Sequence, residues 1–382
     1  MATENAIEGT ANTSKSGSKV RYAVVGLGFI AQAAVLPAFA NAKGNSELVA
    51  LVSGDEKKLR TLSRKYKVAK TYSYEQYADC LESGEIDAVY IALPNHMHRA
   101  YAESALMKGI HVLCEKPMAP TEKECEAMIE AAARGKAKLM IAYRLHFEKG
   151  NLTAMDAVQS GQIGELRIFR SGFTQQVTPR NSRLRKEDQG GPLFDVGVYC
   201  INAARNLFRA EPEEVFSFEA TGNDPRFKEV SEMSSATMRF PGERLAQFIC
   251  SFGAADRSTY EVIGTKGVLK MDPAYGMTGD IKMELTIEGK RKKSAYKNRD
   301  QFGPELIYFS DCIINNTQPE PGGAEGLADV RIINALLASQ SLGKPIKVAA
   351  VDVGERPSAE QEIHKPAFGK PELVRAMTPS QK

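Results

Sequence analysis

From Val20 to about Ala142 the chain alternates short, unbroken apolar runs with amphipathic segments. Tyr22 to Val25, Leu48 to Val52, Ala88 to Leu93, Ile110 to Cys114 and Leu139 to Ala142 read as strands that are apolar on both faces. Helical segments fall between them, at Ala31 to Ala40, Glu56 to Lys65 and the stretch that stops at Gly109 after Lys108. Thr121 followed by Glu124 is a capping-box signature, opening a further helix through Ala131 to Ala133. Strands of this kind separated by helices predict a parallel sheet covered on both faces. That is a doubly wound α/β domain, which binds its ligand at the carboxyl ends of the strands.

Beyond Ala142 the pattern changes. After a helix near Leu152 to Ser160, β-rich runs recur at Leu166 to Ser171, Val215 to Ala220, Ser234 to Phe240, Leu245 to Phe252, Tyr260 to Ile263, Gly267 to Met271 and Ile281 to Ile287. Turn residues at short spacing between them predict a large, mainly antiparallel, open-faced sheet. Helices from about Phe302 to Asn315 and Leu327 to Ser341 complete an α+β unit. The chain therefore divides into a flexible N-terminal arm (1–19), a Rossmann dinucleotide-binding domain (20–142), an α+β substrate domain (143–348) and a C-terminal tail (349–382). The tail is polar and turn-rich, and reads as a mobile or partner-dependent arm.

A length of 382 residues agrees with two domains. A net charge of +3 is small for that size and gives no reason to invoke nucleic acid or an anionic membrane. No stretch has the apolar length needed to span a bilayer. Residues 1–19 contain no apolar signal core, so the chain as written is expected in the cytoplasm, or in the periplasm if a leader has been removed. The six cysteines lack metal or redox spacing and are expected to be free. His96 and His98 have no Cys, Asp or Glu partner at a ligand spacing, so no metal is expected.

Gly26-Leu27-Gly28-Phe29-Ile30-Ala31 ends the first strand and opens the first helix. In that context a GxGxxA turn cradles a pyrophosphate, with the backbone N–H groups of Gly28, Phe29 and Ile30 facing the anion. At the end of the second strand an NAD site usually places an acid on the ribose 2′-hydroxyl. This chain has Ser53-Gly54, then Asp55, Glu56, Lys57 and Lys58. A hydroxyl and a glycine leave room for a 2′-phosphate that Lys58 can meet, which favours NADP. The competing reading gives Asp55 the acid's role and leaves Lys58 solvated.

Glu115-Lys116-Pro117 lies at the end of a central strand, over the nicotinamide end of the crevice, where a lysine can orient a substrate hydroxyl. The Lys-Pro bond is a candidate cis peptide. In Gly190-Gly191-Pro192-Leu193-Phe194-Asp195-Val196-Gly197-Val198-Tyr199, Asp195 and Tyr199 are four apart and share a helix face. Gly197, costly inside a helix, marks close approach by a ligand or another backbone. A tyrosine beside a lysine ammonium is eased towards the form that a general base needs. Tyr143-Arg144-Leu145-His146 and Arg183-Leu184-Arg185 are candidates for sugar hydroxyls or cofactor phosphate, with solvated or interface roles open for the second pair. Leu93-Pro94-Asn95 and His98 stand at another strand end, beside the nicotinamide ribose, His98 being equally a packing residue.

These motifs in this order resemble the glucose–fructose oxidoreductase family, the wider group that includes inositol 2-dehydrogenases. The resemblance runs from about Val20 to Val348 and rests on Gly26-x-Gly28-x-x-Ala31, Leu93-Pro94-Asn95, Glu115-Lys116-Pro117, Tyr143-Arg144 and Asp195-x-Gly197-x-Tyr199. Many relatives carry histidine at the place of Tyr199. With Val52-Ser53-Gly54 and Arg183-Leu184-Arg185, this tyrosine makes the chain most similar to the family's namesake branch.

The resemblance implies a tightly held NADP and a sugar substrate. Lys116, Asp195 and Tyr199 would be catalytic and, with Arg144, substrate-binding; Ser53, Gly54 and Lys58 would meet the 2′-phosphate. Relatives of that branch oxidise an aldose to its lactone and pass the hydride to a second sugar. They assemble through the open face of the C-terminal sheet as dimers or tetramers, and are often periplasmic. The alternatives are a cofactor-exchanging sugar or polyol dehydrogenase, a ketone reductase, or a non-catalytic nucleotide sensor.

Overall fold

The computed structural model describes residues 19–380, so the expected arm at 1–19 lies outside the described residues except for its last residue. Six strands form the first sheet: β1 (Val20–Val25), β2 (Ser46–Val52), β3 (Lys70–Tyr72), β4 (Ala88–Ile91), β5 (His111–Glu115) and β6 (Leu139–Ala142). Their order is β3-β2-β1-β4-β5-β6 with every pairing parallel. The order reverses between β1 and β4, and such a switch point opens a crevice at the carboxyl ends of the strands. β4 is buried along its whole length and β1 nearly so, as their unbroken apolar runs require. The capping box forms as read, Thr121 and Glu124 each bonding the other's backbone N–H at the start of the helix Glu122–Gly135.

The second sheet has nine strands: β7 (Leu166–Thr174), β8 (Glu214–Ala220), β9 (Met233–Phe240), β10 (Arg244–Ser251), β11 (Arg257–Gly264), β12 (Gly267–Met271), β13 (Ile281–Ile287), β14 (Lys290–Tyr296) and β15 (Ile346–Lys347). Its order is β14-β13-β12-β11-β7-β10-β9-β8-β15, antiparallel throughout except for β7 with β10. β3, β14 and β15 had no apolar signal. β14 begins Lys-Arg-Lys-Lys and forms a sheet edge, where charge is what keeps an unpaired strand from recruiting another.

Helices Lys149–Gln159, Val198–Phe208 and Gly323–Leu342 cover one face of this sheet. On the other face Ile168, Phe218, Leu245 and Ile249 are exposed. The register puts them side by side, because Leu245 pairs with Ile168 and Ser235 pairs with both Ile249 and Phe218.

A helix of the second half packs on the first sheet, and a buried charge cluster holds the second half itself. The helix Gly303–Ile314 returns to the first sheet, where Ser310 Oγ meets the hydroxyls of Tyr22 and Ser46, each at 2.8 Å. Deeper in, the Arg205 guanidinium is fully buried and reaches Glu211 (2.6 Å), Glu325 (2.9 Å) and Asp329 (2.6 Å). A buried cation holds its charge only when such partners surround it. His146 joins this cluster between Glu320 Oε1 (2.9 Å) and Asn202 Oδ1 (2.8 Å).

All six cysteines are buried and free. Among the described residues no helix is long and apolar enough to cross a membrane. Over its described part the tail, expected as a mobile or partner-dependent arm, is hydrogen-bonded to the body of the chain. Arg356 pairs with Glu211 at 2.7 Å, Gln361 bonds Glu320, and Thr178 N–H donates to Pro379 O at 3.0 Å.

Burial opposes charge on His146, but Glu320 and Glu325 outweigh it and push the imidazole from 6.5 up to about 9. A raised histidine adds stability that is whole below pH 6.5 and is lost as pH climbs through 9. His98 and His111 are shifted down by burial, so they finish titrating below this window. Denaturant midpoints should therefore fall between pH 6.5 and 9, and His146→Gln should flatten that slope. An unchanged slope in the variant would remove His146 from the account.

Candidate active site

The glycine-rich turn sits at the switch point between β1 and β4. Gly26 has φ +91°, and a Cβ there would stand 2.6 Å from Ala92 O and 2.9 Å from Leu93 Cδ2. Only glycine lets the turn lie against the end of β4. Gly28 is the opposite case, since a Cβ built on it meets nothing within 4 Å. That open space, lined by backbone at the start of a helix, is what a pyrophosphate needs. Leu93 stands against Gly26, Pro94 follows it, and Asn95 Nδ2 donates to Gln189 O at 3.1 Å, fastening this loop to the second half of the chain.

At the end of β2, Ser53 is buried and its hydroxyl accepts from Asp55 N–H at 3.2 Å, while Gly54 packs against the Tyr74 ring. The Asp55 carboxylate accepts from the N–H groups of Lys57 (2.9 Å) and Lys58 (3.1 Å), capping the helix Glu56–Tyr66. One oxygen of the acid, Oδ1, is thus occupied as an N-cap. The Ser53 hydroxyl lies against the Asp55 N–H, with Gly54 between them in the chain and Lys58 in the first turn of the helix.

Lys116 projects from the end of β5, its peptide bond to Pro117 being cis. Its ammonium donates to Asp195 O at 2.7 Å and to Asp195 Oδ1 at 3.3 Å, and lies 4.7 Å from the centre of the Tyr199 ring. Asp195 lies in a wide turn over Leu193–Gly197, and Tyr199 in the first turn of the helix Val198–Phe208 that continues it. Wide turns of this kind often occur at functional sites. The close neighbour of Gly197 is β10, since a Cβ there would sit 3.3 Å from Cys250 Sγ.

The other oxygen of Asp195 accepts from Arg183 Nε at 2.6 Å and Gln175 Nε2 at 3.3 Å. Burial alone would raise the Asp195 carboxyl. The charges of Arg183 and Lys116 overcome it and hold the group well below the usual carboxylate range.

Four expected contacts fall differently. Arg144 is buried, donating from Nε to the Tyr199 hydroxyl (3.2 Å), from its terminal nitrogens to Tyr275 O (2.7 Å) and to Gln301. It positions Tyr199 instead of reaching for phosphate, and it is Arg144, not Lys116, that meets the phenolic oxygen. Arg183 is committed to Asp195 and Arg185 to Asp188 at 2.5 Å. His146 belongs to the buried Arg205 cluster. His98 is fully buried, with one ring nitrogen 3.0 Å from Pro117 O and the other 2.8 Å from Leu93 O. It braces two strand ends and has no nitrogen left for the nucleotide ribose.

The sequence reading missed two groups. Gln175 was invisible at the end of a strand. Glu305, on the helix that returns to the first sheet, is fully buried with neither oxygen hydrogen-bonded. Burial, with Glu115 nearby, pushes its carboxyl up, which favours the uncharged acid. Glu115 itself is raised by burial and accepts from the Tyr90 hydroxyl at 2.9 Å.

A parallel sheet in this order, an anion-ready turn and a lysine–carboxylate–tyrosine cluster above it define an oxidoreductase that uses a nicotinamide nucleotide. Comparison with known proteins makes the assignment specific. Residues 20–143 match the oxidoreductase family with an NAD-binding Rossmann fold, and residues 151–270 match the GFO/IDH/MocA C-terminal domain. The chain belongs to this family.

It is 31% identical to D-xylose 1-dehydrogenase [NADP(+)] of Haloarcula marismortui over 86% of this chain and 93% of that protein. It is also 31% identical to dTDP-3,4-didehydro-2,6-dideoxy-alpha-D-glucose 3-reductase of Saccharopolyspora spinosa, over 71% of this chain and 80% of the relative. Among solved structures, aldose-aldose oxidoreductase from Caulobacter crescentus complexed with glycerol superposes with a TM-score of 0.82 at 35% identity, covering 86% of this chain and all of that one.

The open space at Gly28 gives a direct check. Gly28→Val should leave thermal stability within about 1 kcal/mol, since the side chain enters empty space. Nucleotide affinity should fall tenfold or more, about 1.4 kcal/mol. Titration of nucleotide fluorescence reads the second quantity, and retained affinity would move the pyrophosphate away from this turn.

Proposed function

We propose that the protein is an NADP-dependent oxidoreductase of sugars that oxidises a cyclic, glucose-like aldose at C1 to its lactone. The observation that carries the reading is the Lys116–Asp195–Tyr199 cluster, standing at the end of β5 beside the nucleotide crevice. The open turn at Gly28 supports a dinucleotide, and a hydroxyl and a glycine at the end of β2, beside an Asp55 whose Oδ1 caps the helix, support the choice of NADP. So does the similarity to D-xylose 1-dehydrogenase [NADP(+)].

NADP, when bound, supplies the acceptor for the hydride of C1. Tyr199 takes the proton of the anomeric hydroxyl on its phenolic oxygen, where Arg144 Nε already donates and meets the negative form with a cation. Two of the three ammonium protons of Lys116 are occupied by Asp195. The third is available to the substrate oxygen, on which charge builds as the hydride leaves. Asp195, kept ionised by Arg183 and Lys116, fixes the ammonium and accepts from a second sugar hydroxyl. The two electrons leave with the hydride, the proton goes to Tyr199, and the C1–O bond becomes the lactone carbonyl.

A nucleotide retained by the protein would let a second sugar serve as the hydride acceptor in the return half of the cycle. The other reading, a dehydrogenase that exchanges its nucleotide at each turnover, is favoured by the similarity to the xylose enzyme. Small sugars are the partners of the site. A homo-oligomer formed through the apolar face of Ile168, Phe218, Leu245 and Ile249 covers that face.

Two measurements test this. Lys116→Ala should lower turnover by about a hundredfold or more while nucleotide affinity changes less than about threefold. Equal losses in both would defeat its catalytic role. Dialysed protein should show a reduced-nicotinamide absorbance band that grows with glucose and fades with fructose. Activity that depends on added NADP would select the exchanging dehydrogenase instead.

A further inference from the structure

The C-terminal tail meets the nucleotide site at its adenosine end. Gln32, in the helical turn that follows the glycine-rich loop, exchanges two hydrogen bonds with the backbone of Val374. Its Nε2 donates to Val374 O at 2.9 Å, and Val374 N–H donates to its Oε1 at 2.7 Å. The same Nε2 donates to Leu27 O at 2.8 Å, inside the loop itself. Gln32 is 1% exposed, so the pair is dry and therefore specific. Phe368 and Val374 pack against the core of the first domain, and Lys65 Nζ donates to Glu372 O at 3.4 Å. The tail is thus laid between the first helix and the helix Glu56–Tyr66, both of which start at the carboxyl ends of β1 and β2.

The next residue is Arg375. Its backbone turns through φ +46°, a left-handed conformation that a non-glycine residue adopts at a cost. The side chain remains 60% exposed and its guanidinium stands 3.5 Å from Asp55 Oδ2, next to Ser53-Gly54. A single carboxylate oxygen at that distance, on a group whose other oxygen caps the helix, is a weak partner for a group built to grip two oxygens at once. The ribose of a dinucleotide reaches this strand end. A 2′-phosphate there would lie between the Ser53 hydroxyl, the open Gly54 and this guanidinium.

We propose that Arg375 is a ligand of the cofactor's 2′-phosphate, and that the Gln32–Val374 bonds make the tail a strap fixing it there. The inference rests on the NADP reading and deepens it. The discrimination between a phosphorylated and a free ribose is supplied partly from the far end of the chain, and the same strap slows escape of the nucleotide.

The test uses full-length protein stripped of nucleotide, with Arg375→Ala, Arg375→Gln and a chain ending at Phe368, each titrated with NADPH and with NADH. Both point variants should weaken NADPH about tenfold, by loss of a charge-assisted contact, and NADH less than about twofold. The shortened chain should lose the same preference and weaken both nucleotides, because the strap is gone. A wild-type preference for NADPH that survives unchanged in both point variants overturns the proposal, as does an equal loss for the two nucleotides, which would make the arginine a structural anchor. A wild-type protein that binds both equally overturns the NADP reading and the strap's role with it.

Discussion

Asp195 brings a carboxylate to a place mostly removed from water, and its charge persists there because Lys116 and Arg183 stand on either side. Desolvation opposes the ion and two cations repay it, so neither half of the site is stable without the other. Lys116 comes from the end of β5 in the first sheet, whereas Asp195 and Arg183 belong to the second part of the chain. The cleft is therefore closed by the chemistry it contains. The lysine is held in line by Asp195, and the tyrosine ring lies under the same ammonium.

A second set of charges keeps the scaffold in register behind this one. The helix whose first turn carries Tyr199 also carries Asn202 and Arg205, both turned inward. Arg205 binds carboxylates on the helix Gly323–Leu342 and on the loop at Glu211, while Asn202 reaches His146 just after β6. Movement of that helix would leave buried charges unpaired, at several kcal/mol each on the order of magnitude known for such sites. Tyr199 therefore inherits its position from a network it does not touch. Arg144, four donors of which are already placed, fixes the phenolic oxygen from the opposite side.

Much of this was legible in the one-dimensional pattern. Unbroken apolar runs identified five of the six parallel strands, because a strand buried on both faces has no polar alternation. Gly26-x-Gly28, Lys116 and the Asp195–Tyr199 pair could be placed because each lies within a few residues of a strand end or helix start, where local rules hold. β3 and β14 escaped, one being three residues long and the other carrying its charges on a solvent edge. His98 and Arg183 were visible as residues but not as contacts. The first was read as a candidate beside the nucleotide, and its two carbonyl partners come from different loops.

The sequence by itself determined the class of domain, the anion-binding turn and the identity of the reacting groups, since these depend on periodicity and on residue type at neighbouring positions. Only the tertiary structure decided what each charged group is paired with. Glu305 lies buried with both oxygens unpaired, Arg183 serves Asp195, and the tail, which composition alone made a mobile or partner-dependent arm, is joined to Gln32 across 342 positions of sequence. The reason is physical. Whether a side chain is charged, neutral or free to meet a ligand is set by burial and by partners distant in sequence, and no local pattern carries that distance.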